Sequence, residues 1–304
     1  MQWERDEAEK RHSFGRQKGG SFFEGTRPGR IVSHGAASFE LPILYFRDDF
    51  FALYFSADAR KVSLLVPSDN LHPVLLPNKK AVVAVGAFNY LETSIGPYGE
   101  VIVGVPVVYG KEPVPLLPAM LESRYPGFGV LVLHLPVTTK TARDAGRGEW
   151  GYTKFVADMR FSITPEFQEC EMSENGESIL TLRVARKGFF MKDRKPIHSY
   201  SVKEGRLIRT TIPQKGAFRQ ALRPGGSFLR LGRHPVSEAI RNMGLSERPL
   251  LSKYYVERAA VLPAGEAIEE NVSALDGYFG EDREGERIVS YIQGHGGAMP
   301  HTSN

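Results

Sequence analysis

The segment that most restricts the fold is a turn, Ser173-Glu174-Asn175-Gly176, set between the alternating apolar runs at 167–172 and 179–184. An Asn-Gly pair supplies the two successive positive-φ positions of a type I′ turn, whose twist matches that of the strands it joins. The stretch therefore predicts an antiparallel hairpin. A second hairpin is expected where 197–202 faces 207–212 around Gly205. The runs at 80–86, 101–109 and 130–137 are rich in β-branched residues and lack helical periodicity, as buried strands do. Repeated hairpins of this kind predict a mainly β (β-rich α+β) architecture, an antiparallel sheet strongly curled or closed into a β-barrel and decorated by short helices.

The helices are few. Asp58 is placed to cap a short helix at 59–65 that ends before Pro67, and Thr138 to cap a helical turn running to Arg143. His234 and Pro235 introduce a helix at 236–243 that Gly244 stops. Val236, Ile240 and Met243 share one face of it, as expected of a lid across a barrel end. Strands are expected at 41–46 and 50–55 around a turn at Arg47-Asp48-Asp49, and a loop at 94–99.

At 304 residues the chain is long enough for one large core, and the reading assigns 1–38 to a flexible N-terminal arm, 39–280 to the β domain and 281–304 to a loosely ordered tail. The formal charge of +4 is scattered, without the clustered basic footprint that nucleic-acid binding needs. One cysteine, Cys170, excludes an internal disulfide, and it reads as a packed thiol. The eight histidines show no i, i+4 pair, so no metal is expected; no organic cofactor is expected either. No apolar run reaches the ~18 residues of a membrane span, and the start lacks the apolar region of a signal peptide, so a cytoplasmic location is expected, with no membrane partner.

Chemistry concentrates at 146–155, where Lys154 follows an aromatic-glycine loop, Trp150-Gly151-Tyr152, and opens a strand. Burial beside Trp150, Tyr152 and Phe155 would work against the ammonium charge and leave an amine able to attack a ketone. The alternative is a lysine whose stem lies on apolar surface while its head reaches water.

Gly146, Arg147, Trp150, Gly151, Tyr152, Thr153 and Lys154 resemble the signature around the Schiff-base lysine of the acetoacetate decarboxylase superfamily. Upstream, Tyr90-Leu91-Glu92 is similar to that family's tyrosine-x-glutamate. The resemblance implies an acetoacetate decarboxylase-like fold, a homo-oligomer, and a keto-acid substrate held as an imine on Lys154 with Glu92 beside it. It also implies an arginine near position 47, for which Arg47 is the candidate, and a site walled by Tyr90, Trp150, Tyr152 and Phe155. Thr153 and Phe155 stand where the family pattern has proline and often a second lysine. Segment 81–88 lacks the further acidic residue that some decarboxylases carry there. Three functions stay open on this reading. The first is a carbon–carbon lyase decarboxylating an acetoacetate-like 3-oxo acid, the second an aldolase-dehydratase using a 2-oxo acid such as pyruvate, and the third a barrel that only binds a small ligand.

Overall fold

The computed structural model describes residues 22–26 and 29–280. The strands run in chain order as β1 (Arg30–His34), β2 (Ala37–Leu41), β3 (Ile43–Ala57), β4 (Leu71–Pro73), β5 (Ala81–Thr93), β6 (Tyr98–Tyr109) and β7 (Phe128–His134). There follow β8 (Asp158–Ile163), β9 (Phe167–Glu174), β10 (Glu177–Ala185), β11 (Phe189–Asp193), β12 (Ile197–Lys203), β13 (Arg206–Ile212) and β14 (Gln214–Leu222). The last three are β15 (Phe228–Leu231), β16 (Leu251–Leu262) and β17 (Glu266–Glu269). The helices are α1 (Ala59–Ser63), α2 (Leu117–Leu121), α3 (Lys140–Ala145) and α4 (Pro235–Asn242).

The mainly β architecture is as expected, but no sheet closes into a barrel. The large sheet runs β11-β14-β16-β3-β5-β6-β7-β12-β13-β17, with β4 added on β6. Its two end strands are only five and four residues long and do not pair with each other, so the ladder stays open. It bends far enough to bring β13 near β16, strands well separated in that order. All its pairs are antiparallel except β7 with β12. A smaller sheet, β15-β10-β9-β8, packs on one face. Here the Asn-Gly turn joins β9 to β10, with Asn175 at φ 50° and Gly176 at φ 80°.

Side-chain alternation divides the large sheet into two working faces. Val83, Val85 and Ala87 on β5 and Val101, Val103 and Val105 on β6 enter the core with Met172, Leu180, Leu182 and the buried thiol of Cys170. Their neighbours Ala84, Phe88, Tyr90, Tyr98, Glu100 and Ile102 line a cavity on the other face. Along β5 and β6 this core therefore lies on one side and the cavity, with a second apolar cluster that includes Tyr45, Tyr90, Tyr98 and Trp150, on the other.

Four local expectations are corrected. The predicted turn at 47–49 is a pair of β-bulges inside one continuous β3, because the ladder with β5 carries on through them. Cavity-facing positions shift across the bulges, from Ile43 and Tyr45 to Phe50, Ala52 and Tyr54. The helix after Thr138 is capped by Thr139, whose side chain accepts from the Ala142 amide, while Thr138 accepts from the Gly99 amide. Helix α4 is no lid, since Val236, Ile240 and Met243 are buried in the core and none of its residues lines the cavity. Its amphipathic face specified burial but not the partner. Strand structure also begins before residue 39, at β1; the rest of the expected arm, apart from 22–26, and the expected tail lie outside the described residues.

Candidate active site

Lys154 is delivered to the cavity by a compact succession of turns. After α3 the chain makes one π-helical turn, Gly146–Trp150, and Gly151 ends it at φ 69°. A side chain at Gly151 would also put its Cβ 2.3 Å from the Val202 carbonyl oxygen, so both conformation and close approach demand glycine. The next residues run extended beside 135–137, bonded through the Leu135 amide to the Thr153 carbonyl (3.1 Å) and the Val137 amide to the Phe155 carbonyl (2.9 Å). Glu100 pairs with the other edge of that segment, opposite Val137. Lys154 and Glu100 thus approach one another across it.

The two side chains meet in the cavity wall. Lys154 Nζ lies 2.6 Å from Glu100 Oε2, and both are buried. The Tyr90 hydroxyl donates to Glu100 Oε1 at 3.1 Å, and the Tyr45 and Tyr98 hydroxyls share a hydrogen bond of 2.9 Å. The rings of Tyr98 and Tyr152 each stand 5.9 Å from Nζ. Burial pushes the Tyr152 phenol up to about 12, with the nearby Ser199 hydroxyl pulling the other way, and holds Tyr45, Tyr90 and Tyr98 well above the usual phenol range. All four remain neutral hydrogen-bonding groups near pH 7. Trp150 completes the end wall, its indole N–H donating to the Pro263 carbonyl at 2.9 Å.

Among the residues expected from sequence, Lys154, Tyr90, Trp150 and Tyr152 line this one cavity. Arg47, Glu92 and Phe155 do not. The ladder sets Arg47 opposite Glu92, neither of them in the cavity lining, and the carboxylate at the lysine is Glu100. Phe155 faces away because successive residues of an extended segment point to opposite sides. It packs instead on the ring of Tyr278, 4.9 Å between centroids, and stacks on His234 at 6.0 Å. Glu100 had one sequence signal, being the only charged residue in the apolar stretch 98–109.

The backbone of the lysine loop is clamped from behind. Arg147 Nε donates to the Lys154 carbonyl at 2.6 Å, Nη2 donates to the Phe279 carbonyl, and the guanidinium lies 5.3 Å from the centre of the Phe279 ring. Gly277 abuts Thr153 and Gly280 abuts Phe155 so closely that a Cβ would fall 2.4 Å and 2.8 Å from their side-chain atoms. The opposite wall carries a hydrogen-bonded set of polar and charged side chains. Arg258 binds Asp48 at 2.7 Å and Gln214 at 3.1 Å, and Asp193 accepts from Gln214 at 2.8 Å and from Tyr255 at 2.6 Å. Among the described residues no group of three or more His, Cys, Asp or Glu side chains could hold a metal ion.

The model of the acetoacetate decarboxylase family matches residues 31–270. The chain belongs to the acetoacetate decarboxylase family. Solved structures of similar fold include the acetoacetate decarboxylase from Legionella pneumophila, with 16% identity and a TM-score of 0.58 over 81% of this chain and 94% of that one. The enduracididine biosynthesis enzyme MppR complexed with pyruvate is similar with 10% identity and a TM-score of 0.55, over 81% of this chain and 95% of that one. An acetoacetate decarboxylase-like enzyme from Sphingomonas wittichii has 13% identity and a TM-score of 0.51, over 75% and 92%. No curated protein matches the chain. At these identities the structural likeness speaks for the fold alone. In this family member the clamp residues Gly277, Phe279 and Gly280 lie beyond the matched segment. Among the described residues no helix is long and apolar enough to cross a membrane.

Proposed function

We propose that the chain is a carbon–carbon lyase of keto acids that works through an imine on Lys154. The observation that carries this reading is the 2.6 Å contact between the buried Lys154 amine and Glu100 at the end of a largely apolar cavity. Transfer of one ammonium proton to Glu100 leaves a neutral amine, which attacks the substrate carbonyl carbon. Glu100 then returns that proton to the departing hydroxyl, water leaves, and a positively charged iminium remains. With a 3-oxo acid, the bond to the carboxylate breaks and its electron pair enters the iminium as carbon dioxide departs. The resulting enamine takes a proton on carbon, and water hydrolyses the imine to release ketone and lysine. Tyr90 holds Glu100 by its hydrogen bond, while Trp150, Tyr152 and Tyr98 exclude water from the amine.

A second reading, condensation of a 2-oxo acid such as pyruvate with an aldehyde, is supported by the same carboxylate. Glu100 is adjacent to where an imine would stand and could remove a proton from its α-carbon. Release of carbon dioxide from acetoacetate, against condensation of pyruvate, separates the two. The shared step is tested by borohydride reduction in the presence of either acid. A reduced adduct on Lys154, absent from Lys154→Ala, is expected; absence of any adduct on Lys154 with a broad set of carbonyl compounds would overturn the reading.

We also infer self-association. Edge strand β11 exposes Phe189 (80%), Phe190 (51%) and Met191 beside Leu222 of β14, apolar surface that a second copy would cover. A monomeric mass by sedimentation at micromolar concentration would refute this.

A further inference from the structure

The cavity is far larger than the substrates named above. Its volume is about 630 Å³, within the roughly 300–1,000 Å³ range of sites for drug-sized ligands. Allowing about 30 Å³ for each water-sized atom, a seven-atom keto acid such as acetoacetate fills only about a third of it. The excess has a direction. Lys154, Glu100 and Tyr90 lie at one end, and the cavity follows β5 through Phe88 and Ala84 to Val82. At about 3.3 Å per residue, Tyr90 to Val82 spans roughly 26 Å.

The far reach is floored by small side chains, Ala52 and Ala84, and faced by Ile102, Pro106 and Val130. The Phe50 and Phe88 rings, stacked with centroids 4.2 Å apart, line the cavity part-way between its two ends. Charged groups on the β16 side have partners in the protein: Arg258 binds Asp48, Lys253 Nζ lies 3.7 Å from Asp193, and Asp193 also accepts from Tyr255.

Resting on the imine reading above, we propose that the substrate is a keto acid bearing a long apolar tail, with its carbonyl at Lys154 and its tail along the trough floored by Ala52 and Ala84. At about 30 Å³ per atom the remaining two thirds of the cavity has room for about 14 atoms, so a tail of about six to ten carbons fits within it. Short keto acids engage the amine but leave the trough empty.

The experiment is borohydride trapping on the full chain with straight-chain methyl ketones from 2-butanone to 2-decanone, alongside acetoacetate and pyruvate, with the Lys154 peptide quantified by mass spectrometry. Burying one methylene is worth up to about fourfold in affinity, so the half-saturating concentration should fall at least about tenfold across the series. In Ala84→Phe, which fills the trough, the ratio between the longest and shortest ketone should collapse. A flat or rising series in the unmodified protein, with Lys154 still labelled by the short compounds, overturns the tail and leaves the imine standing. Failure of every compound to label Lys154 overturns the imine reading and the tail with it.

Discussion

Gly146 is packed directly against the side chain of Lys154, so that a Cβ on Gly146 would lie 2.3 Å from Lys154 Cε and 2.4 Å from Cδ. The backbone at Gly146, with φ −67° and ψ −41°, is one that any residue adopts. Alanine there conflicts with the lysine stem and with little else. Gly146→Ala is expected to fold, with stability changed by no more than about 1 kcal/mol, while borohydride trapping at Lys154 falls at least about tenfold, the effect of a roughly 1.4 kcal/mol misplacement. Urea unfolding and peptide mass spectrometry on one preparation check both halves.

Glu100 and Glu92 make opposing claims to the acid–base role. If the group touching the amine carries the proton, Glu100→Gln should reduce turnover by about 10²- to 10⁴-fold, and by much more than Glu92→Gln does. The comparison is made on kcat in purified variants whose circular dichroism matches the parent. Equal losses would return Glu92 to consideration.

Phe155 adjoins the lysine in sequence but sits in the core. Its truncation to alanine should cost about 3–5 kcal/mol in urea unfolding, as for other buried aromatic side chains. Whatever native protein remains should still form the imine. Loss of trapping at full stability would place Phe155 in the site after all.

His134 offers a test by pH. Burial, reinforced by the neighbouring His234, pushes its imidazole down from 6.5 to about 4. The unfolded chain therefore binds a proton that the folded chain refuses, and the stability His134 contributes above pH 6.5 is lost as pH falls toward 4, by about 3 kcal/mol. Asp48 acts in the opposite sense, since burial raises its carboxyl to about 6 although Arg258 pulls it down. The readable quantity is consequently the difference between the parent and His134→Leu, whose stability curves should diverge between pH 6.5 and 4. Parallel curves would refute the assignment.

The parts of the fold readable in sequence are those set by neighbours along the chain. The β9–β10 turn follows from Asn175 and Gly176, the α1 cap from Asp58, and the lysine loop from Gly146 to Lys154, each a matter of a few consecutive residues. What was missed depends on pairing between distant segments. Whether the large sheet closes is decided by β11 and β17, which never meet. Glu100 reaches Lys154 only because both flank 135–137, a juxtaposition with no local signature. Helix α4 was legible as a helix with one apolar face, yet nothing in its own residues says which surface it covers.

The clamp behind the lysine bears on timing. Arg147 ties the Lys154 carbonyl to that of Phe279, and Gly277 and Gly280 back the residues on either side. Chains are made from the N-terminus, at about 5–20 residues per second, so Lys154 leaves the ribosome well before its backing exists. An unfinished chain carries Lys154 without the segment that backs its loop. Lys154 therefore gains its full backing only after the segment from Gly277 to Gly280 has been made.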